Sequence, residues 1–291
     1  MKAPPFAYVR AASIGDVFAH WQGAGPDARL LAGGQSLLAS LAFRLSAPAT
    51  LIDVTRVPEL AGIQAAGGKV RVGALTTHAE LGTNELIRQQ VPLLAEAMPL
   101  IAHPAIRNRG TIGGSLAHAD PAAELPACCV ALEAVILARS AGGERRIPAA
   151  QFFTGLYMTA LGERELIAAI EFPARKQHER SAIVELARRW GDYAMVGVVG
   201  RVELEGSVLA DARLVLFGVG EVPVVASAAM AVVEGSTATA ETVGQAVAAL
   251  DADLDPPADQ HASSDMKRHL ARVLLGRALR RLCGLSEARA A

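Results

Sequence analysis

Two glycine-bearing corners carry the residue types with which a backbone can hold an anionic ligand. The first, Ala32-Gly33-Gly34-Gln35-Ser36, ends the short apolar run Arg29-Leu30-Leu31. It opens a segment whose leucines at 37, 38, 41 and 45 have helical spacing. Glycine admits positive φ angles and lets a ligand approach the backbone closely. Free amides at a helix N-terminus bind phosphate through hydrogen bonds and the helix dipole, and Ser36 adds a hydroxyl. A plain tight turn with Ser36 as N-cap uses the same residues. The second corner, Thr111-Ile112-Gly113-Gly114-Ser115, lies between Ile106-Arg107-Asn108-Arg109-Gly110 and Leu116-Ala117-His118-Ala119-Asp120-Pro121. Glycines at 110, 113 and 114 weaken any regular element. Close approach of a ligand explains them, and so does a β-bulge or hairpin corner. No G-x-G-x-x-G is present at the first turn, and no acidic residue at the usual distance closes a nicotinamide-type ribose site. Since 75 positions separate Ser36 from Thr111, the pair suggests an elongated ligand gripped from two sides, a length that FAD has.

Other reactive side chains point away from metal or covalent chemistry. His78, His103 and His118 fall in separate segments without the spacing of a metal-ligand helix. Cys128, Cys129 and Cys283 form no C-x-x-C pair, which argues against a zinc or iron–sulfur site made by this chain. Cys128-Cys129 sits in an apolar stretch and reads as core packing. Asp53 reads as a structural strand-end acceptor. Arg107 and Arg109 suit either a phosphate or acidic residues at an interface, and Trp190 suits either the linker or the ligand.

The elements that must position these corners follow from periodicity. Arg29–Ala32, a glycine turn, a helix from Ser36 and Thr50–Val54 make strand, turn, helix, strand, the pattern of a parallel βαβ unit. Val70–Leu75 is a further strand, followed by an N-cap at Thr76 or Thr77. Gln90–Leu100 and Leu125–Leu132 read as helices, with the stretch from Arg107 to Gly114 irregular between them. Val135–Ala138, Arg145–Ile147 and Leu166–Phe172 are strands of a second sheet. After Pro173 the texture changes: Ser181–Ala187, Met195–Glu203 and Ala212–Gly218 form a longer antiparallel meander. Helices over Thr239–Leu250 and Ser264–Leu282 finish the chain, the last stopping at Gly284. The charged, proline-bearing stretch from Pro173 to Arg180 marks a boundary between domains spanning 1–175 and 176–285.

Composition bounds the function. The 291 residues are 52% hydrophobic, 20% charged and only 4% aromatic. A large core built from small aliphatic side chains is therefore expected, and disorder is not. A net charge of -1 with both signs dispersed supplies no basic face for nucleic acid. Met1 to Ala12 contains no apolar leader region, and no apolar run approaches the roughly 20 residues of a membrane span. Sparse, odd cysteines fit a reducing compartment, so a cytoplasmic location is expected.

The two corners, extended to Ala32–Leu38 and Thr111–Pro121, resemble the FAD signatures of the medium subunit of the xanthine dehydrogenase and aerobic carbon monoxide dehydrogenase family. Supporting stretches are Ile52-Asp53-Val54 with Pro58-Glu59-Leu60, Gly73-Ala74-Leu75-Thr76-Thr77-His78, and Arg188-Arg189 before Asp192-Tyr193-Ala194. The likeness extends over nearly the whole chain. It implies an α+β fold: a two-subdomain FAD-binding domain of the vanillyl-alcohol-oxidase (PCMH) type, then a C-terminal domain of antiparallel sheet plus helices. It implies that Ala32, Gly33, Gly34, Gln35 and Ser36 hold the FAD pyrophosphate, with Arg29 nearby. Thr111, Ile112, Gly113, Gly114, Ser115 and His118 then lie against the cofactor. Glu124 stands where relatives carry a cofactor-binding Asp, and Tyr193 at an aromatic position near the flavin ring.

The function so implied is electron transfer within a heterotrimer. A large subunit would hold a molybdenum-pterin cofactor, and a small subunit two [2Fe–2S] clusters. FAD in this chain would relay electrons to a terminal acceptor: quinone, NAD, oxygen or a carrier protein. A dimer of heterotrimers is expected. Two other readings compete: a standalone FAD-dependent oxidase or reductase of the vanillyl-alcohol-oxidase type, and a scaffold whose flavin site has decayed.

Overall fold

The computed structural model describes residues 2–286; Met1, the first residue of the N-terminal stretch read above, lies outside them. Its first unit is small. β1 (Ala7–Arg10), α1 (Ile14–Gly23), β2 (Ala28–Leu31), α2 (Leu37–Ala42) and β3 (Thr50–Asp53) form a three-stranded sheet of order β1-β3-β2, parallel throughout. The βαβ reading of Arg29–Val54 is the observed arrangement. Parallel register puts Arg10, Leu31 and Asp53 side by side at the carboxyl ends of the strands, the end at which open α/β sheets bind ligands. Asp53 is occupied structurally there. Its Oδ1 accepts from the Thr55 amide at 2.8 Å and hydroxyl at 2.6 Å, and its Oδ2 accepts from Tyr8 and Arg10.

The second unit is a five-stranded antiparallel sheet under a layer of short helices. β4 (Ile63–Ala66) and β5 (Lys69–Gly73) are followed by α3 (His78–Thr83), α4 (Glu85–Gln90), α5 (Pro92–Ala97), α6 (Pro104–Arg107), α7 (Ile112–His118) and α8 (Glu124–Ala131). Then come β6 (Val135–Ser140), β7 (Gly143–Pro148), α9 (Ala149–Phe152), a small hairpin of β8 (Phe153–Gly155) and β9 (Met158–Thr159), and β10 (Leu166–Pro173). The sheet order β4-β5-β10-β6-β7 puts β10 in the middle. Its successive residues serve two cores: Leu166 and Ala168 pack with Ile14, Phe18 and Ile52 of the first unit, while Ile167, Ile170 and Phe172 pack under α3, α5, α7 and α8. Burial on both faces is why this strand opens as the apolar run Leu166–Ile170 before Glu171 interrupts it.

Two helical expectations change. Gln90–Leu100 is divided between α4 and α5, because Val91 (φ -142°) leaves the helical region before Pro92 and the residue before proline disfavours it. The stretch Arg107–Gly114 is irregular over residues 108–111, as read, but is helical at both ends: α6 ends at Arg107, and α7 contains Gly113 and Gly114 in its first turn. Glycine's low helix propensity hid α7; a side-chain cap, with Thr111 Oγ1 accepting from the Gly114 amide at 3.1 Å, stabilises its start.

The C-terminal meander comprises β11 (Glu179–Ala187), β12 (Ala194–Glu205), β13 (Val208–Phe217) and the short β14 (Val224–Val225). It is followed by α10 (Ser227–Val233), α11 (Ala240–Ala249) and α12 (Ser264–Cys283), the last stopped by Gly284 at φ 70°. Val196, Val198 and Val202 of β12 face α12, whereas Val199 faces α8. Helix α8 is buried along its whole length, with Cys128 and Cys129 fully enclosed in the core. Among the described residues no helix is long and apolar enough to cross a membrane.

The meander and the α8 layer are tied by a buried guanidinium. Arg201 is 5% exposed. Its Nε donates to the Ala131 carbonyl at 3.0 Å, and its Nη atoms meet Glu133, Asp211 (2.9 Å) and Glu179 (3.6 Å). Truncation removes the ion pair of buried Glu179 and frees the Ala131 carbonyl, while Glu133 and Asp211 keep Arg213 and Lys176. Arg201→Ala is expected to cost about 3 kcal/mol in chemical denaturation, with Arg201→Lys restoring only part because it loses the forked geometry.

Candidate functional site

The two corners, distant in sequence, touch. A Cβ built on Gly33 would lie 2.1 Å from the Arg109 carbonyl oxygen and 3.0 Å from the Gly110 Cα. Only a residue without a side chain lets these backbones meet. The contact continues inward: the His78 amide donates to the Gly110 carbonyl at 2.9 Å, and a Cβ on Gly110 would press on the His78 ring at 3.0 Å. Gly113 is seated in the same way, its amide donating to the Ala74 carbonyl at 2.9 Å and its α-carbon so close that a Cβ would fall 2.5 Å from that of Ala74.

The corners differ in what they leave available. At the first, Gly34 takes φ +75° and the Gln35 side chain donates to the Gly33 carbonyl at 3.0 Å, which pins the turn. Among the described residues the amides of Gly33, Gly34, Gln35 and Ser36 find no acceptor, and the Ser36 side chain makes no capping bond. At the second, the amides of Ile112, Gly113, Gly114 and Ser115 are all spent on Thr76, Ala74 and Thr111. The expectation of bare amides at both corners therefore describes the first alone. The second braces it, with Gly114 and Ser115 on the outer face of α7. Open donors at the end of a parallel sheet, rigidly backed, match a diphosphate, and this chain's residues fit the group its signatures imply.

The remaining candidates extend along one side. His118 closes α7, and its ring lies 5.1 Å from that of Tyr157. Tyr157, at the tip of the β8–β9 hairpin, donates from its hydroxyl to Asp120 Oδ2 at 3.3 Å. Tyr193 is exposed, yet close enough that Asp120, Tyr157 and Glu124 add to burial in pushing its hydroxyl up to about 12. Arg29 points along the edge of β2, its Nη1 donating to the Ala28 carbonyl at 3.1 Å. Arg107 is committed to the Ile101 and Ala102 carbonyls, and Trp190 is exposed. Tyr157 escaped the sequence reading because Leu156-Tyr157-Met158 carries no motif; three consecutive bulky residues at a turn were its only signal.

Beneath this row lies an acidic pair that makes no ion pair among the described residues. Glu124 is 6% exposed. Burial, with Glu185 and Asp120 nearby, holds its carboxyl up at about 8. Burial likewise lifts Glu185 to about 7, and its Oε2 is enclosed without a partner. His78 shows the converse: both ring nitrogens are buried and unpartnered, and burial lowers it to about 4, leaving it neutral.

Residues 4–175 match the family described as "FAD binding domain in molybdopterin dehydrogenase". The chain belongs to this family. Residues 181–282 match the "CO dehydrogenase flavoprotein C-terminal domain". The chain is 40% identical to the 6-hydroxypseudooxynicotine dehydrogenase complex subunit alpha of Paenarthrobacter nicotinovorans, over 96% of this chain and 95% of that one. It is 37% identical to the carbon monoxide dehydrogenase medium chain of Hydrogenophaga pseudoflava, over 96% and 97%. Carbon monoxide dehydrogenase from that organism, solved in a form lacking the Mo-pyranopterin moiety, superposes with TM-score 0.93 at 39% identity, covering 96% of this chain and 97% of that chain. Quinoline 2-oxidoreductase from Pseudomonas putida 86 gives TM-score 0.93 at 37% identity, covering 98% and 99%. The chain is thus a medium FAD subunit of the carbon monoxide dehydrogenase-like molybdenum hydroxylases, with the FAD-binding domain followed by the sheet-plus-helix domain.

Two outcomes follow from this geometry. Gly33→Ala drives a methyl into the Arg109 carbonyl, so FAD affinity of the purified chain should fall about 10-fold or more in a fluorescence titration. Gly23→Ala, where a Cβ meets nothing within 4 Å, should leave it unchanged. For the acidic pair, raised carboxyl pKa values mean the folded state keeps protons that the unfolded chain releases. Stability is therefore lost as pH rises from the ordinary 4.5 toward about 8. Glu124→Gln and Glu185→Gln should each flatten that decline and raise Tm at pH 8 by about 2–4 °C, the size of a roughly 1 kcal/mol gain.

Proposed function

We propose that this chain is the FAD-binding electron-transfer subunit of a heterotrimeric molybdenum hydroxylase, relaying electrons from the [2Fe–2S] clusters of a small partner subunit to a terminal acceptor. Substrate oxidation belongs to a large molybdenum-cofactor subunit, and the assembly is a dimer of heterotrimers in the cytoplasm. The boundary between the two domains falls at 175/176. The observation that carries the reading is the set of unsatisfied amides from Gly33 to Ser36, backed by the Arg109–Gly110 backbone.

Bound FAD supplies the exchange of electrons between donor and acceptor. The chain's own residues do the rest. The amides of Gly33, Gly34, Gln35 and Ser36 and the Ser36 hydroxyl hold the pyrophosphate, with Ala32 closing the strand and Arg29 adding positive charge. Thr111, Ile112 and Gly113 fix the bracing segment, and Gly114 and Ser115 face the cofactor from α7. His118, Glu124 and Tyr193 line its length toward the ring. Exposed Leu156, Tyr157, Met158, Trp190 and Tyr193 offer the apolar and aromatic surface that a partner subunit would cover.

Affinity purification of the tagged chain from its own cells tests this reading. The expected result is two co-purifying subunits, one containing molybdenum and the other iron with acid-labile sulfide, and no turnover of organic substrates by the isolated FAD-loaded chain. Robust turnover by the isolated chain would overturn it in favour of a standalone oxidase.

A further inference from the structure

Tyr157 stands in a backbone conformation that its side chain disfavours. At φ +55° it occupies the left-handed region, which costs a bulky residue about 1 kcal/mol. Gly or Asn would fill this turn between β8 and β9 without that cost. Such strain persists where surrounding contacts demand it, and here the contacts are specific. The ring lies 5.1 Å from the His118 ring at an interplanar angle of 40°. The hydroxyl donates to Asp120 Oδ2 at 3.3 Å, while Asp120 Oδ1 accepts from the Ala122 amide at 2.9 Å. One side chain therefore grips both residues flanking Ala119, itself left-handed at φ 51°, where α7 ends.

We propose that Tyr157 is a positioning residue for the cofactor: the β8–β9 hairpin holds it in a strained conformation so that its ring sets the orientation of His118 and its hydroxyl sets the Asp120 turn, and through them the flavin end of the binding site. The inference rests on the reading of the FAD site given above. Tyr157 itself needs no contact with FAD. Its ring restrains His118, which faces the cofactor, and its hydroxyl restrains the segment that leads from α7 to Glu124.

Two substitutions separate positioning from packing. Tyr157→Gly removes ring and hydroxyl and relieves the backbone; Tyr157→Phe keeps ring and strain. The probe is FAD, titrated into the purified full-length apo chain, with the visible absorption spectrum of the bound flavin and the Tm of the apo chain recorded in parallel. Expected for Tyr157→Gly are an apo Tm equal to or above wild type, FAD binding weakened about 10-fold and a shifted flavin absorption band. Tyr157→Phe should restore affinity to within about 2-fold and return most of the band shift. Unchanged affinity and spectrum in Tyr157→Gly would overturn the proposal, as would an affinity loss matched by a fall in apo Tm. Failure of the wild-type chain to take up FAD would instead overturn the proposed function from which this inference starts.

Discussion

The site depends on one close approach, that of Gly33 to the carbonyl of Arg109. Three backbone segments are stacked there: the end of β2, the link between α6 and α7, and the turn after β5, with the His78 ring set against Gly110. Gly33 on Arg109–Gly110, Gly110 on His78 and Gly113 on Ala74 are successive contacts in that stack. Each is closed by the absence of a Cβ, and two are sealed by backbone hydrogen bonds of 2.9 Å. Because the lower layers spend their amides on one another, the upper layer is left with donors that have no partner among the described residues. Packed interiors move little, so those donors are held in place before any ligand arrives, which is the condition under which backbone amides bind anions well.

Charge is handled in two opposite ways on either side of α8. Arg201 is buried among carboxylates and a carbonyl, and every acceptor around it is compensated. Buried Glu124 and half-buried Glu185 make no ion pair among the described residues, and burial raises both carboxyls. The first arrangement joins two layers of the fold; the second holds carboxyls beneath α7 that keep their protons to higher pH than ordinary carboxylates.

Much of this was readable from residue types. The strand–glycine–helix–strand pattern gave the parallel unit, and the meander after Pro173 followed from its alternation. What resisted reading has physical reasons. A sequence does not say whether a glycine is needed for a ligand or for a neighbouring strand, so Gly113, required by Ala74, looked like part of a binding loop. Helix α7 was masked by its two glycines and is maintained by the Thr111 cap and by tertiary contact. The break at Pro92 outweighed an otherwise helical run. Tyr157 lacked a pattern because its role comes from a conformation, a property that composition does not encode.

The central position of β10 has a consequence for how the molecule is made. A ribosome releases the first sheet early, yet Leu166 and Ala168, which complete that sheet's core, emerge more than a hundred residues later. The same strand closes the second sheet between β5 and β6. Neither half of the flavin domain can therefore finish folding while the nascent chain is shorter than about Pro173. Until then the Gly33–Ser36 corner lacks the completed sheets behind it, so its final geometry belongs to the end of synthesis of this domain and not to its beginning.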